Sequence, residues 1–271
     1  MKRRDFLTTS CAVGVTAVTS PLLHAVETPT KRFFIDFRQV TVPNLEKRKK
    51  FIDYNAKTLT PILNEFGISK IGMFTPDTRL NSMDKNYDTK FDSVVFSVIP
   101  HPSFDSILQM AEKIVMDPRY TETYSALSEG TSSKNPLFTR HERSLLYCFK
   151  DFPEIEVPSL APDRVLQLRI YRSYNFERNR AKVSMFTEGG ELAMFRECDM
   201  NPVFFSTMYF GTQIPCIVYM LSFESEGHMK EAWAKFGKHP DWPKLRDAPA
   251  YADTATEITN IYLRPCEGSQ I

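Results

Sequence analysis

From Arg164 to Tyr171 the chain reads Arg-Val-Leu-Gln-Leu-Arg-Ile-Tyr, with polar side chains set between apolar ones. That alternation predicts a β-strand. A helix is expected next, opened by Asn175 as N-cap with Glu177 in its first turn, and running to about Arg196. Two strand-like runs follow, Val203–Phe210 and Ile214–Phe223, joined by the short glycine-containing turn Gly211-Thr212-Gln213. Ser225–Phe236 has helical spacing, with Met229, Trp233 and Phe236 on one stripe, and His239-Pro240-Asp241-Trp242 is expected to start a short helix. Glu257–Leu263 closes the run as a strand. The order β-α-β-β-α-β is that of the ferredoxin-like split motif.

The first half repeats it. Arg32–Val40 predicts a strand, and Asn44-Leu45-Glu46-Lys47 opens a helix to about Phe66, as Asn175-Phe176-Glu177-Arg178 does in the second half. Ile68–Thr75 and Phe91–Ile99 read as strands, Ser103–Met116 as a helix and Leu145–Phe149 as a closing strand. Asp117-Pro118-Arg119-Tyr120 stands where His239-Pro240-Asp241-Trp242 stands later. Two polar stretches, Pro76–Lys90 and Thr121–Arg143, are expected to be surface loops. Pro153, Pro158 and Pro162 mark residues 151–162 as a stiff linker. The fold class expected is α+β, with one module over residues 30–150 and a second over 163–266.

The amino terminus has a different character. Lys2-Arg3-Arg4-Asp5-Phe6-Leu7, the weakly apolar Cys11–Val18 and a small residue at Ala25 read as a signal peptide of twin-arginine type over residues 1–25. The expected address is therefore the periplasm or another exported location, with Ala17 an alternative cleavage point. Removing that segment leaves Cys148, Cys198, Cys216 and Cys266, whose spacing assigns no disulfide pairing.

Composition narrows the function classes. A net charge of +1 among 271 residues gives no electrostatic footprint for nucleic acid, and no apolar run reaches the ~18 residues that a membrane span needs. Phe is abundant at 21 and Gly scarce at 10, which favours packed strands over glycine-rich phosphate loops. Phosphate-loop, dinucleotide, serine-elbow and zinc-protease motifs are missing from the sequence, and no metal site is expected.

Leu168-Arg169-Ile170-Tyr171, Tyr219-Met220-Leu221-Ser222-Phe223-Glu224-Ser225, Trp233 and His239-Pro240-Asp241-Trp242 together resemble the NIPSNAP family. The resemblance covers the second module well and the first more weakly, through Phe34–Arg38 and Asp117–Tyr120. It implies the dimeric α/β-barrel architecture, here with both modules in one chain as a pseudo-dimer; pairing with another copy is the competing arrangement. Gln167 replaces the acidic residue often found before the first-strand Leu-Arg, so a role tied to that carboxylate is not carried over.

Candidate pocket residues are Arg169, Tyr171, Tyr209, Tyr219 and His228. Arg169 and Tyr171 share one strand face and would orient an anionic or carbonyl-bearing ligand, or else Arg169 pairs with an acidic neighbour on an exposed or semi-exposed face, with Asp36 and Arg38 of the first module as the candidate partner set. Tyr209 and Tyr219, beside Phe205 and Met208, suit an aromatic-lined cavity between sheet and helices, although core packing accounts for them as well. His228 is the candidate acid/base or haem ligand, since the resemblance leaves haem open while nothing in the sequence requires a cofactor. His239 is expected to cap the helix begun by Pro240. Two function classes follow: a scaffold that binds an apolar or aromatic small molecule, and a barrel enzyme such as a cofactor-independent monooxygenase or a haem-handling protein.

Overall fold

The computed structural model describes residues 31–271. The expected signal segment, Cys11 included, lies outside the described residues. The first half runs β1 (Phe34–Thr41), α1 (Leu45–Tyr54), a π-helical stretch (Asn55–Leu59), α2 (Thr60–Glu65), β2 (Gly72–Pro76), α3 (Thr78–Asn81), β3 (Val94–His101), α4 (Phe104–Met116), α5 (Pro118–Ser128) and β4 (Arg140–Cys148). The second half runs β5 (Val165–Arg172), α6 (Phe176–Phe186), α7 (Glu191–Glu197), β6 (Asn201–Phe210), β7 (Cys216–Phe223), α8 (Glu226–Gly237), α9 (Trp242–Arg246) and β8 (Glu257–Pro265).

The eight strands close into one barrel in the order β1-β3-β2-β8-β5-β7-β6-β4. Within each half the spatial order is the same, with the fourth strand beside the first, then the third, then the second. The halves join edge to edge, β2 to β8 through Phe74↔Pro265 and Pro76↔Leu263, and β4 to β6 through Leu146↔Met208 and Cys148↔Ser206. Closure leaves no strand edge unpaired.

Helix starts repeat as well. The Asn44 side chain accepts from the Lys47 N–H and Asn175 from the Arg178 N–H; Ser103 accepts from Ser106 and Ser225 from His228. Each cap satisfies a backbone donor that the helix itself cannot, typically worth ~1 kcal/mol.

Every residue of β3 and of β7 is buried, because both strands are covered on two faces. One face points into the barrel, where Ile35, Phe37, Phe74, Phe96, Leu146, Leu168, Phe204, Met220 and Ile261 fill the lumen at little or no exposure. The other faces the outer helices. This double coverage explains why the strands read as near-continuous apolar runs.

Several expectations need correction. Thr121–Arg143 is not a surface loop throughout: α5 extends to Ser128 and β4 starts at Arg140, five residues before the strand expected at Leu145. The polar start Arg140-His141-Glu142-Arg143 hid that strand. Pro76–Lys90 contains α3, whose Leu80 and Asn81 are buried; Asn81 donates to the Tyr262 carbonyl and accepts from the Tyr262 N–H, both at 2.8 Å. The 151–162 connection also packs, with Phe152 and Ile155 buried and Glu156 N–H bonded to the Val203 carbonyl. The helix expected from Asn175 to Arg196 is two helices, broken at Gly190, whose φ of 86° suits glycine. Helix α9 starts at Trp242 rather than Pro240, and the His239 ring accepts from the Asp241 N–H at 3.3 Å while its Nε2 lies 3.0 Å from Glu197.

Cys148, Cys198, Cys216 and Cys266 are free thiols, the first three buried. Among the described residues no helix is long and apolar enough to cross a membrane.

Candidate functional site

Between the outer face of the first-half sheet and helices α1, α2, α4 and α5 lies a cavity of about 360 Å³. Its sheet wall carries Asp36 and Arg38 from β1, Ser97 and His101 from β3, and His141 and Arg143 from β4. Pairing of β1 with β4 sets Arg38 opposite Arg143, and Asp36 two positions along the same strand. The Asp36 carboxylate accepts from Arg38 Nε and Nη2 at 2.9 and 2.7 Å, and from Arg143 Nε and Nη2 at 3.0 and 2.7 Å. Burial works to raise the pKa of Asp36, but the two guanidiniums outweigh it and bring the group down to about 2. One anion between two cations leaves this wall with an excess positive charge.

The two histidines are held neutral. Burial lowers the pKa of His101 to about 4, against the pull of Asp36 and with the push of Arg38 and Arg143. Its Nδ1 sits 3.0 Å from Ser106 Oγ. His141 is lowered as well, by burial first and then by the same two arginines.

The helical wall is apolar and aromatic: Leu59, Leu63, Met110 and Ile114, with Tyr54, Tyr120 and Tyr124. Tyr120 and Tyr124, one turn apart on α5, stack at 5.6 Å, and Tyr54 meets both edge-on. Tyr54 is only 8% exposed, yet its hydroxyl makes no hydrogen bond of good geometry; its nearest polar neighbour is Tyr120, a loose contact that helps to raise its pKa. A buried unpaired hydroxyl costs ~1–3 kcal/mol. Helix geometry aids this opening. Pro61 has no N–H to donate, and the turn before it widens so that Thr60 N–H bonds the Asn55 carbonyl, five residues back.

The corresponding space in the second half is filled. Gln167, Arg169 and Tyr171 do share a face, but it points to the outer helices, where Trp233 Nε1 donates to Gln167 Oε1 at 2.8 Å. Asp36 is not the partner of Arg169; its carboxylate is taken by Arg38 and Arg143. The Arg169 guanidinium lies 5.2 Å from the centres of both the Tyr171 and Trp233 rings, and its Nε has no partner. Tyr219 is fully buried, stacked on Phe205 at 4.6 Å, with its hydroxyl donating to that of Tyr171 at 3.0 Å. Phe186 packs against Tyr171, Phe195, Phe205 and Tyr219 in the centre. Beside it, Lys182 and Glu191 form a buried ion pair at 3.0 Å.

Two of the expected residues stand apart from this cluster. Tyr209 is exposed at the end of β6, edge-on to Tyr147. His228 opens α8, where its Nδ1 accepts from the Glu224 N–H at 3.2 Å and its ring lies edge-on to Phe223.

Residues 166–270 match the NIPSNAP family model. That match covers the filled half, so the hollow cleft lies wholly outside the NIPSNAP segment. No curated protein matches the chain. Among solved structures, the fold is similar to that of a proposed monooxygenase from Lactobacillus acidophilus NCFM, with a TM-score of 0.54 at 8% identity over 88% of this chain and 98% of that one. A NIPSNAP-like domain protein from Burkholderia xenovorans aligns at a TM-score of 0.34 and 17% identity, over 38% of this chain and 86% of that one. A heme-binding protein from Thermus thermophilus gives 0.42 at 13%, over 88% and 92%. At such identities the likeness is one of fold, that of the dimeric α/β-barrel type, with all eight strands here in one chain.

The sequence pointed to Asp36 and Arg38 only as partners for Arg169, and it did not bring them together with Arg143, His101, His141 and the three tyrosines as one constellation. The Tyr120/Tyr124 spacing after the Asp117-Pro118 helix start was the available signal.

Proposed function

We propose that the protein is a ligand-binding scaffold that holds a small apolar or aromatic molecule in the first-half cavity. One observation carries this reading: a buried Tyr54 hydroxyl without a well-formed hydrogen bond on a cavity of about 360 Å³, at a position that Phe186 and Tyr219 fill in the other half, whose own cleft of about 460 Å³ lies elsewhere, between α6 and β6. Pockets of this size with apolar walls and a few placed polar groups are characteristic of small-molecule sites. The test is to fill the cavity. Asn55→Phe, which mimics Phe186, should abolish binding of naphthalene-type probes in a fluorescence titration while the thermal transition is retained; unchanged binding would refute the reading.

A catalytic reading, of the cofactor-independent monooxygenase kind, is favoured by His101 and His141, two neutral imidazoles on the cavity wall able to accept a proton. Turnover lost in His101→Gln with ligand affinity kept would select it. Haem handling is the variant that visible absorbance of protein purified from its own compartment tests directly.

We read the two halves as tandem ferredoxin-like modules, since the strand order and the cap residues repeat. Export by the twin-arginine route rests on Arg3-Arg4-Asp5-Phe6-Leu7; replacing both arginines by lysine should leave the protein in the cytoplasm.

A further inference from the structure

We propose that the molecule bound in this cavity is a carboxylic acid with an aromatic or aliphatic body, and that Arg38 and Arg143 hold its carboxylate. The inference rests on the ligand-binding reading above and adds the chemistry of the head group.

Charge comes first. Of the described residues lining the cavity, Asp36 supplies the carboxylate and Arg38 and Arg143 the cations, while His101 and His141 are neutral. The wall therefore carries one uncompensated positive charge. A monoanion balances it, whereas a phosphate monoester near its dianionic form would overshoot.

Donor geometry comes second. Both arginines commit Nε and Nη2 to Asp36, and the Nη1 of each has no protein partner among the described residues. Asp36 thus fixes the two planar forks and leaves donors free, the arrangement that recognises a second carboxylate. The Tyr54 hydroxyl is a third unpaired donor on the same cavity, and burial keeps its phenol protonated by pushing its pKa well above the ordinary value.

The rest of the space selects the body. Leu59, Leu63, Met110 and Ile114 offer no hydrogen bonds, and the Tyr120/Tyr124 stack presents ring faces and edges. A second cavity of about 290 Å³ shares Asp36, Ile107 and Arg143 with the first and continues to Phe104, Leu145 and Phe210. An acid therefore has room on either side of Arg143.

The experiment uses matched pairs. The full chain is titrated calorimetrically with 2-naphthoate against 2-naphthalenemethanol, and with decanoate against decanol. Charge-assisted hydrogen bonds of this kind correspond to a preference of about 10- to 100-fold for the acid. Arg143→Met leaves Asp36 paired with Arg38, and should reduce that preference at least tenfold while the alcohol binds as before. Arg143→Lys, which keeps the charge without the fork, should retain part of it. Equal affinity for acid and alcohol overturns this inference and leaves the ligand-binding reading standing. Binding of neither overturns both. A preference undiminished in Arg143→Met removes Arg143 from the site. Should that variant fail to fold, the wild-type comparison alone decides whether a carboxylate is recognised.

Discussion

The two clefts between sheet and helices share one frame and end in opposite states. Arg38 and Arg169 each stand six residues before a helix-capping asparagine, Asn44 and Asn175. Eight residues before the cap, Asp36 in the first half corresponds to Gln167 in the second, so the carboxylate absent from the second half's first strand is present in the first. Eleven residues after the cap, Asn55 corresponds to Phe186. In the second half Phe186, Tyr219 and Trp233 occupy the space, and Arg169 is sealed beneath two rings. In the first half the same position carries a short amide that donates to the Phe51 carbonyl at 2.7 Å, and Arg38 meets Arg143 and Asp36 beside open volume. A change of side-chain volume at a few positions turns a filled core into an open cleft without altering the frame.

The largest effects should come from the filled half. Phe186→Ala is expected to cost about 3–5 kcal/mol in urea denaturation, while Asn55→Ala at the equivalent place costs about 1 kcal/mol. Similar costs for the two would break the comparison.

Lys182→Met strands the buried Glu191 and should cost about 3 kcal/mol or more. Burial already pushes the Glu191 carboxyl upward against the pull of Lys182. Without the lysine its folded pKa rises further above the unfolded value, so stability is retained at low pH and lost as pH rises. Denaturation midpoints of this variant at pH 5 and pH 8 check the sign.

A smaller effect belongs to the hollow half. His101 titrates near 4 in the fold against an ordinary value of 6.5. Between those values the unfolded chain binds a proton that the folded chain does not. Its contribution is therefore present above pH 6.5 and fades as pH falls to about 4, with a slope of at most about 1.4 kcal/mol per pH unit. His101→Gln should flatten that part of the stability–pH curve.

The smallest change is Tyr54→Phe. Because the hydroxyl makes no well-formed hydrogen bond in the protein, its removal should leave stability unchanged or raise it by about 1 kcal/mol, while ligand affinity drops severalfold. A destabilisation as large as that of Phe186→Ala would mean that the hydroxyl has a structural partner.

How much of this was legible varies with range along the chain. The helix starts at Asn44, Ser103, Asn175 and Ser225 and most strands could be read from a few consecutive residues. The strand β4 could not, since Arg140 to Arg143 carry the polar residues of the site itself and look like a loop. The second-half candidates Arg169, Tyr171 and Tyr219 were recognised as one aromatic-cationic cluster, and they do cluster, but as packing. Tyr209, expected beside Tyr219 on the hairpin strands, and His228, expected as an acid/base or haem ligand, lie elsewhere in space.

By itself the sequence determined where most strands and helices lie, the caps and the apolar character of the strands, because periodicity and capping depend on neighbours within a turn or two. Only the tertiary structure decided that β2 meets β8 and β4 meets β6, that Arg143 reaches an aspartate 107 residues away, and that the cleft beside Tyr54 stays open while its counterpart is filled. Those outcomes depend on how volumes and charges from distant segments add up in one place, and no local pattern records that sum.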